Sequence, residues 1–237
     1  MLKHFAAGKN IDGLDCEEHF VPSADRGSEI RVRIFKPKEQ KGPLPILVYL
    51  HGGGYVLGNP EMSAAVIHRF IESRPCIVVA PDYRKAYTAP FPAGFNDCYD
   101  TLIWAAKHAD SFGGRADAVI VAGHSAGGGL TAAVTMKARD CGDVEVAFQM
   151  PIYPMIDDLQ PSDLDRQIEV CVWDTETNRL AWSAYLAHLH SRGDVIPAYA
   201  APARCIDFRG LPPTITFVGS LEPFFWETKS YVASLRE

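Results

Sequence analysis

One serine of the chain stands in a pattern that suits nucleophilic attack. Residues 123–127 read Gly-His-Ser-Ala-Gly, directly after the apolar run 118–122 and before a stretch rich in Gly and Ala. A serine at a sharp strand-to-helix turn needs small residues two positions before and after it, because the backbone there is strained and a Cβ would clash. The five residues alone are not specific, so the flanking apolar and helical patterns carry the prediction. They place the Ser125 hydroxyl at the end of a buried strand.

A glycine-rich loop provides the second element of the same chemistry. The apolar run 46–50 leads straight into His-Gly-Gly-Gly-Tyr at 51–55, where side chains do not obstruct the backbone N–H groups. Acyl transfer places negative charge on one oxygen of a tetrahedral intermediate, and each preorganised N–H donor lowers that barrier by about 3 kcal/mol. We assign the N–H groups of Gly52, Gly53 and Ala126 to such an oxyanion hole. A merely flexible turn is the alternative, which the preceding strand disfavours.

Seven patches of the chain resemble a known family in sequence and in order. They are His-Gly-Gly-Gly-Tyr at 51–55, Pro-Asp-Tyr-Arg at 81–84, Phe-Pro-Ala at 91–93 with Asp-Cys-Tyr at 97–99, Gly-His-Ser-Ala-Gly-Gly at 123–128, Tyr-Pro-Met-Ile-Asp at 153–157, Asn178 and Arg179 with Trp182 and Tyr185, and Gly-Leu-Pro-Pro-Thr at 210–214. With them the chain resembles the hormone-sensitive-lipase-like, family IV branch of the α/β-hydrolases, which includes many microbial carboxylesterases. The resemblance implies an α/β-hydrolase fold, with a mostly parallel sheet between helices and a small cap. It also implies ester hydrolysis by a Ser-His-acid triad, with no metal and no organic cofactor.

The residue expected to be the triad acid departs from the family pattern. Residues 217–223 read Phe-Val-Gly-Ser-Leu-Glu-Pro, so that Glu222 stands where the family usually places Asp before Pro. Glu serves as the acid elsewhere in this fold, since the imidazole needs only a carboxylate held against its Nδ1–H. Asp82 and Asp157 are alternative acids, but each matches a family position that we take to be structural. Glu227 matches a further acidic position of the same segment.

Two other departures lie near the expected site. The family usually continues Tyr-Arg with Leu-Ala-Pro-Glu, whereas residues 85–88 read Lys-Ala-Tyr-Thr, so we expect that loop to pack differently. The serine is preceded by His124, where the family commonly has Asp or Thr. Beside the oxyanion loop, Tyr55 is the aromatic residue that we expect to face the substrate.

The triad histidine is missing from the place where chain order predicts it. In this fold the order is Ser, acid, His, yet none of the eight histidines follows His190 and the sequence ends at Glu237 within a predicted helix. We therefore expect the final strand, the histidine loop and the last helix to be missing, which would leave this chain inactive or weak. His51 and His124 are expected to be structural. His188 and His190 fall in the predicted cap, where a base held within about 2.6–3.2 Å of the serine is disfavoured.

Length and periodicity predict a single α/β-hydrolase domain over residues 1–237, with cap elements at about 1–25 and 157–205. Nearly continuous apolar runs predict strands covered on both faces at 46–50, 76–80, 118–122, 146–150 and 214–218. Residues 30–34 alternate apolar and charged, as in an exposed antiparallel edge strand. Helices are predicted around 61–73, 95–109, 127–139 and 225–236.

Composition limits the classes of partner. A formal net charge of -6 argues against nucleic acid and anionic membranes, and no apolar run reaches transmembrane length. Six cysteines without Cys-x-x-Cys spacing support neither zinc nor a redox pair. Without a signal-peptide pattern, a cytoplasmic protein without membrane insertion is expected, and a homodimer is compatible with the sequence.

Two alternatives to the esterase stay open at this point. A serine hydrolase acting on amides or formamides would use the same motifs, and a substrate panel separates it from an esterase. A non-catalytic protein that binds small molecules is the second, because fold does not dictate function. The intact serine and oxyanion loop favour a small-molecule ester as substrate, with short to medium acyl chains and an acyl-enzyme intermediate.

Overall fold

A computed structural model describes residues 7–24, 27 and 29–237 of the chain. The sheet is built from β1 (Leu14–Pro22), β2 (Glu29–Pro37), β3 (Leu44–Leu50), β4 (Ile77–Pro81), β5 (Gly114–His124) and β6 (Val146–Ile152). Among the described residues these six strands lie in the order β1-β2-β4-β3-β5-β6. β1, β2 and β4 pair antiparallel, and β4, β3, β5 and β6 pair parallel. The mostly parallel α/β sheet predicted for an α/β-hydrolase is thus confirmed.

Helices cover both faces of the sheet. They are α1 (Ala64–Ser73), α2 (Ala93–Lys107), α3 (Ala126–Cys141), α4 (Thr175–Tyr185), α5 (Ala187–Arg192) and α6 (Phe225–Ser234). Ile67 and Ile71 of α1 pack into the core on one face, while α2 and α3 contribute Leu102, Leu130 and Val134 to the larger core on the other. Because both faces are covered, β4 is buried along its whole length, as the continuous apolar run predicts.

Strand register brings three loops together at one edge of the sheet. In the parallel pairs, Leu50 at the end of β3 aligns with Gly123 of β5, and His124 aligns with Ile152 at the end of β6. The loops that follow these three neighbouring strands therefore begin side by side at one edge of the sheet. In open parallel sheets, the carboxyl ends of strands are where ligands bind.

The N-terminal part of the predicted cap belongs to the sheet instead. Residues 1–6 and 25 of that prediction lie outside the described residues, but Leu14–Pro22 forms β1 and pairs with β2 over all nine positions. β2 is therefore not an edge strand, although its antiparallel direction was predicted correctly. Its Arg33 is buried against Glu61, so a charged residue in an alternating pattern did not mark a solvent-facing side.

The strand predicted at 214–218 is present only as an isolated bridge. Thr214 pairs in parallel with Gln149 of β6, and Phe217 O accepts a hydrogen bond from Tyr153 N at 2.6 Å. Prolines occupy 212 and 213, and a proline has no N–H to donate to a ladder. No described segment pairs with the other side of 214–218, so regular strand geometry does not develop.

Residues 157–205 contain α4, α5 and short 3-10 turns and contribute no strand to the described sheet. Side-chain contacts fasten this segment at both ends. Arg204 pairs with Asp158 at 2.7 Å, and Arg166 pairs with Asp157 at 2.7 Å. Between them, Asn178 Nδ2 donates to Gln160 Oε1, with both side chains fully buried.

Candidate active site

Ser125 occupies a sharp turn between β5 and α3. Its backbone has φ 57° and ψ -122°, the positive-φ conformation that the sequence pattern predicts for an exposed nucleophile. Ser125 N donates to Ile152 O, and Ser125 O accepts from Met155 N, each at 3.0 Å. The residue is therefore held by backbone hydrogen bonds to the chain leaving β6, and its hydroxyl is left free to face the cavity.

The two glycines of the motif are required by close backbone contact. A Cβ on Gly127 would lie 2.0 Å from Leu50 O, and one on Gly123 would lie 2.4 Å from Gly127 O. These distances are far below any van der Waals contact, so the first turn of α3 approaches the end of β3 with no room for a side chain. Small residues two positions on either side of Ser125 are thus a steric condition for the turn.

The loop 51–55 is fixed from beneath by Tyr83 and its neighbours. Tyr83 OH donates to His51 O at 2.8 Å, and the two rings stack at 4.1 Å. At the other end of the loop, Ala86 N donates to Tyr55 O at 2.9 Å. Burial, with the nearby Lys85 charge, lowers the pKa of His51 well below its usual value, so the ring is neutral. Its Nδ1–H donates to Gly52 O at 2.7 Å.

The N–H groups near Ser125 differ in what they bind. Gly52 N–H donates to His124 Nε2 at 3.3 Å, so it is already occupied. The N–H groups of Gly53, Gly54 and Ala126 make no hydrogen bond to an acceptor among the described residues. Gly52, one of the three predicted oxyanion donors, is thus bound to His124, whereas the predicted donors Gly53 and Ala126 and the neighbouring Gly54 are unoccupied among the described residues. The oxyanion hole itself stays a prediction.

A cavity of about 470 Å³ opens beside Ser125. Its wall is mostly apolar and aromatic, and it is lined by Gly53, His124, Ser125, Tyr153, Val170, Val172, Trp173, Glu222, Pro223 and Phe224. Glu222, the predicted triad acid, is the one carboxylate in this lining. It is half-buried, and its Oε1 accepts from Gly219 N at 3.1 Å. Ser125 and Glu222 therefore share one cavity, and their catalytic roles stay predictions.

The alternative acids are bound elsewhere. Asp82 pairs with Lys85 at 3.0 Å, and Asp157 pairs with Arg166 at 2.7 Å. Glu227 is buried, accepts from Ile156 N at 2.8 Å, and pairs with Arg166 at 3.2 Å. None of these carboxylates lines the cavity at Ser125.

Tyr55, predicted to face the substrate, lies beneath the loop instead. It is 2% exposed, its OH donates to Met155 O at 2.6 Å, and its ring stacks on Tyr185 at 4.0 Å. The cause is the backbone, since Tyr55 has φ 64° and its side chain turns inward. The aromatic wall comes from Trp173, whose ring lies against Gly54: a Cβ there would meet it at 2.1 Å.

The structure brings no described histidine into hydrogen-bond contact with Ser125 Oγ. His51 and His124 belong to the two motifs, but both rings are bound elsewhere. The His51 ring contacts Gly52 O, and the His124 ring contacts Tyr49 OH and Gly52 N. His188 and His190 are exposed on α5. Within residues 7–24, 27 and 29–237, no group of three or more His, Cys, Asp or Glu side chains could hold a metal ion. The described helices are also too short or too polar to span a bilayer.

Two curated relatives of this chain are named as esterases. Carboxylesterase NlhH of Mycobacterium tuberculosis is 34% identical over 213 residues, which are 88% of this chain and 65% of that protein. Esterase LipI of the same organism is 31% identical over 200 residues, which are 82% of this chain and 61% of that protein. This chain therefore spans less than two thirds of the length of either relative.

Solved structures of esterases also superpose on this chain. A bacterial heroin esterase superposes with a TM-score of 0.91 at 33% identity, over 98% of this chain and 74% of that one. A hyperthermophilic esterase from Pyrobaculum calidifontis gives a TM-score of 0.84 at 30% identity, with the same coverage of 98% and 74%. A family model described as alpha/beta hydrolase fold matches residues 47–237. The chain belongs to the alpha/beta hydrolase fold family.

Proposed function

We propose that this protein is a serine carboxylesterase that hydrolyses small esters with short to medium acyl chains. The observation that carries the proposal is the position of Ser125, at a positive-φ turn inside a largely apolar cavity with unoccupied N–H donors beside it. Relatives named as carboxylesterase and esterase support an ester as substrate over an amide.

In the proposed reaction, Ser125 Oγ attacks the ester carbonyl carbon and forms a bond to it. Negative charge develops on the former carbonyl oxygen, which the N–H groups of Gly53, Gly54 and Ala126 stabilise; loss of one such donor costs about 3 kcal/mol. The reaction also requires a histidine that takes the Ser125 proton and returns it to the leaving alcohol, and none of the described histidines contacts Ser125 Oγ. Glu222 would orient that histidine through its Nδ1–H. Water then attacks the acyl-enzyme, and the acid leaves with Ser125 restored.

The shape of the cavity supports the substrate class. Apart from Glu222 its lining carries no charged side chain, so an uncharged acyl group is favoured over a dicarboxylate. We also propose that residues 157–205 act as a cap, because Val170, Val172 and Trp173 of that segment form one wall. A cytoplasmic location and a homodimer remain predictions.

The proposal is tested by covalent labelling and by hydrolysis. A fluorophosphonate should add to the protein once, at Ser125, and p-nitrophenyl acetate and butyrate should be hydrolysed faster than the matching anilides. Ser125→Ala should lose both reactions, whereas Ser183→Ala, an exposed serine on α4, should retain them. Labelling at another residue, or equal hydrolysis by Ser125→Ala, contradicts the proposal. Preferential anilide cleavage would favour an amidase, and ligand binding without hydrolysis a non-catalytic protein.

A further inference from the structure

The histidine before the nucleophile makes a contact that the family pattern does not explain. Both ring nitrogens of His124 are bound: Nδ1 lies 2.8 Å from Tyr49 OH, and Nε2 accepts from Gly52 N–H at 3.3 Å. The ring fits tightly against the loop, since a Cβ on Gly52 would lie 2.7 Å from Nε2. His124 also lines the cavity with Ser125. A side chain of β5 thus holds the oxyanion loop that follows β3.

These contacts fix the tautomer of the imidazole. A backbone N–H can only donate, so Nε2 must carry a lone pair, and a neutral ring then carries its proton on Nδ1. The Nδ1–H donates to Tyr49 OH. The bonds therefore connect β3 to the oxyanion loop through Tyr49 and His124.

The peptide between His51 and Gly52 is held from both sides. In a planar trans peptide, the C=O and N–H point in opposite directions. Here Tyr83 OH binds the His51 carbonyl and His124 Nε2 binds the Gly52 N–H. The next peptide is held by His51 Nδ1–H on Gly52 O, which turns the Gly53 N–H to the opposite side. Fixing the first peptide plane thus fixes where the following N–H groups point.

We propose that His124 is a positioning residue of the oxyanion loop, whose Nε2 lone pair holds Gly52 N–H and so keeps the N–H groups of Gly53 and Gly54 directed at the cavity. Its catalytic part rests on the proposed esterase function. Protonation of the ring replaces the lone pair with a second N–H, which opposes Gly52 N–H and releases the loop.

The surroundings of the ring keep it neutral near neutral pH. The titratable groups around it are Tyr49 of β3, Tyr153 after β6, His51 of the loop and Glu222 across the cavity. Glu222 is the one carboxylate among them. Burial lowers the pKa of His124, so the lone pair is available to Gly52 until the solution becomes acidic.

The test compares two variants at position 124 with a matched control. His124→Leu removes the acceptor and should lower kcat for p-nitrophenyl butyrate about tenfold, with KM changed by less than about twofold. His124→Gln offers an amide oxygen at similar reach and should recover kcat to within about threefold of the original. His188→Gln, an exposed histidine of α5, should change neither constant. Equal kcat for His124→Leu and the original overturns the proposal.

A spectroscopic measurement separates this proposal from the esterase proposal. In ¹⁵N NMR spectra, His124 should show the Nδ1–H tautomer, and the Gly52 amide should shift with the same pH midpoint as the His124 ring. His124→Leu should abolish that titration and speed hydrogen exchange at Gly52. An Nε2–H tautomer, or a Gly52 amide insensitive to His124, refutes the positioning role. If no ester is hydrolysed while these NMR results hold, only the proposed function fails.

Discussion

Replacing Tyr83 by Phe removes one hydrogen bond beneath the oxyanion loop and little else. The Tyr83 ring is 1% exposed, stacks on His51 at 4.1 Å and lies 4.2 Å from Lys85 Nζ, and a Phe ring retains these contacts. The lost group is the hydroxyl that donates to His51 O at 2.8 Å. That carbonyl has no other hydrogen-bond donor among the described residues. The substitution therefore isolates one buried hydrogen bond.

The expected loss of stability is that of one buried hydrogen bond. A buried acceptor left without its donor costs about 1–3 kcal/mol, so we expect Tyr83→Phe to lower the free energy of unfolding by about 2 kcal/mol. For a chain of this length that corresponds to a fall in Tm of about 4–8 °C. Equilibrium unfolding in urea, followed by tryptophan fluorescence, measures the change directly. Because His51 begins the loop that we propose to bind the oxyanion, kcat should fall as well, while KM changes little.

Tyr231→Phe is the matched control. Tyr231 is 2% exposed, and its hydroxyl faces Gln149 without reaching hydrogen-bond geometry. The same chemical change should therefore leave stability unaltered or raise it slightly, since an unsatisfied buried hydroxyl is removed. If the two variants unfold at the same urea concentration, the hydrogen bond to His51 does not stabilise the protein and the reasoning is refuted.

Three further predictions concern the cavity wall, the cap contact and alkaline pH. Trp173→Ala should open the cavity over Gly54 and raise the ratio of kcat/KM for p-nitrophenyl hexanoate over acetate by about tenfold, and an unchanged ratio would contradict a wall role. Arg166→Ala should cost about 3–5 kcal/mol in urea unfolding, because Glu227 loses its buried cation, and Arg166→Lys should cost less. Above about pH 11 the free energy of unfolding should fall by about 7 kcal/mol per pH unit, because five buried tyrosines stay protonated when folded but ionise with a pKa near 10 when unfolded. Urea unfolding between pH 9 and 12 tests this slope. Burial raises the pKa of all five, which are Tyr49, Tyr55, Tyr83, Tyr185 and Tyr231.

The sequence predicts the parts of this fold that local patterns encode. Strands β3 to β6 each contain a nearly continuous apolar run, and the turn at Ser125 needs the glycines that the motif displays. β1 escaped prediction because Asp15, Glu17 and Glu18 leave no apolar run, and its pairing with β2 is a tertiary contact. Elements defined by their neighbours, such as β1 and the bridge at Thr214, lie beyond what local periodicity can show.

The candidate site likewise contains residues that local motifs predict and contacts that only the folded chain creates. Ser125, Glu222 and the loop 51–55 follow from motifs, whereas the partner of Gly52 N–H depends on the register between β3 and β5, which brings together residues 72 apart in sequence. Trp173 lies against the loop with its Nε1–H donating to Asn178 Oδ1 at 3.1 Å. Such contacts carry no short-range sequence signal, so only the folded chain reveals them.

The backbone of Ser125 also has a thermodynamic consequence for the whole protein. A non-glycine residue held at φ 57° and ψ -122° costs about 1–3 kcal/mol, which the hydrogen bonds to Ile152 and Met155 must offset. Glycine adopts this conformation freely, so Ser125→Gly should make the protein harder to unfold while removing the proposed nucleophile. The position is then one where selection for reactivity opposes selection for stability, and a screen for thermostability alone would select against the chemistry.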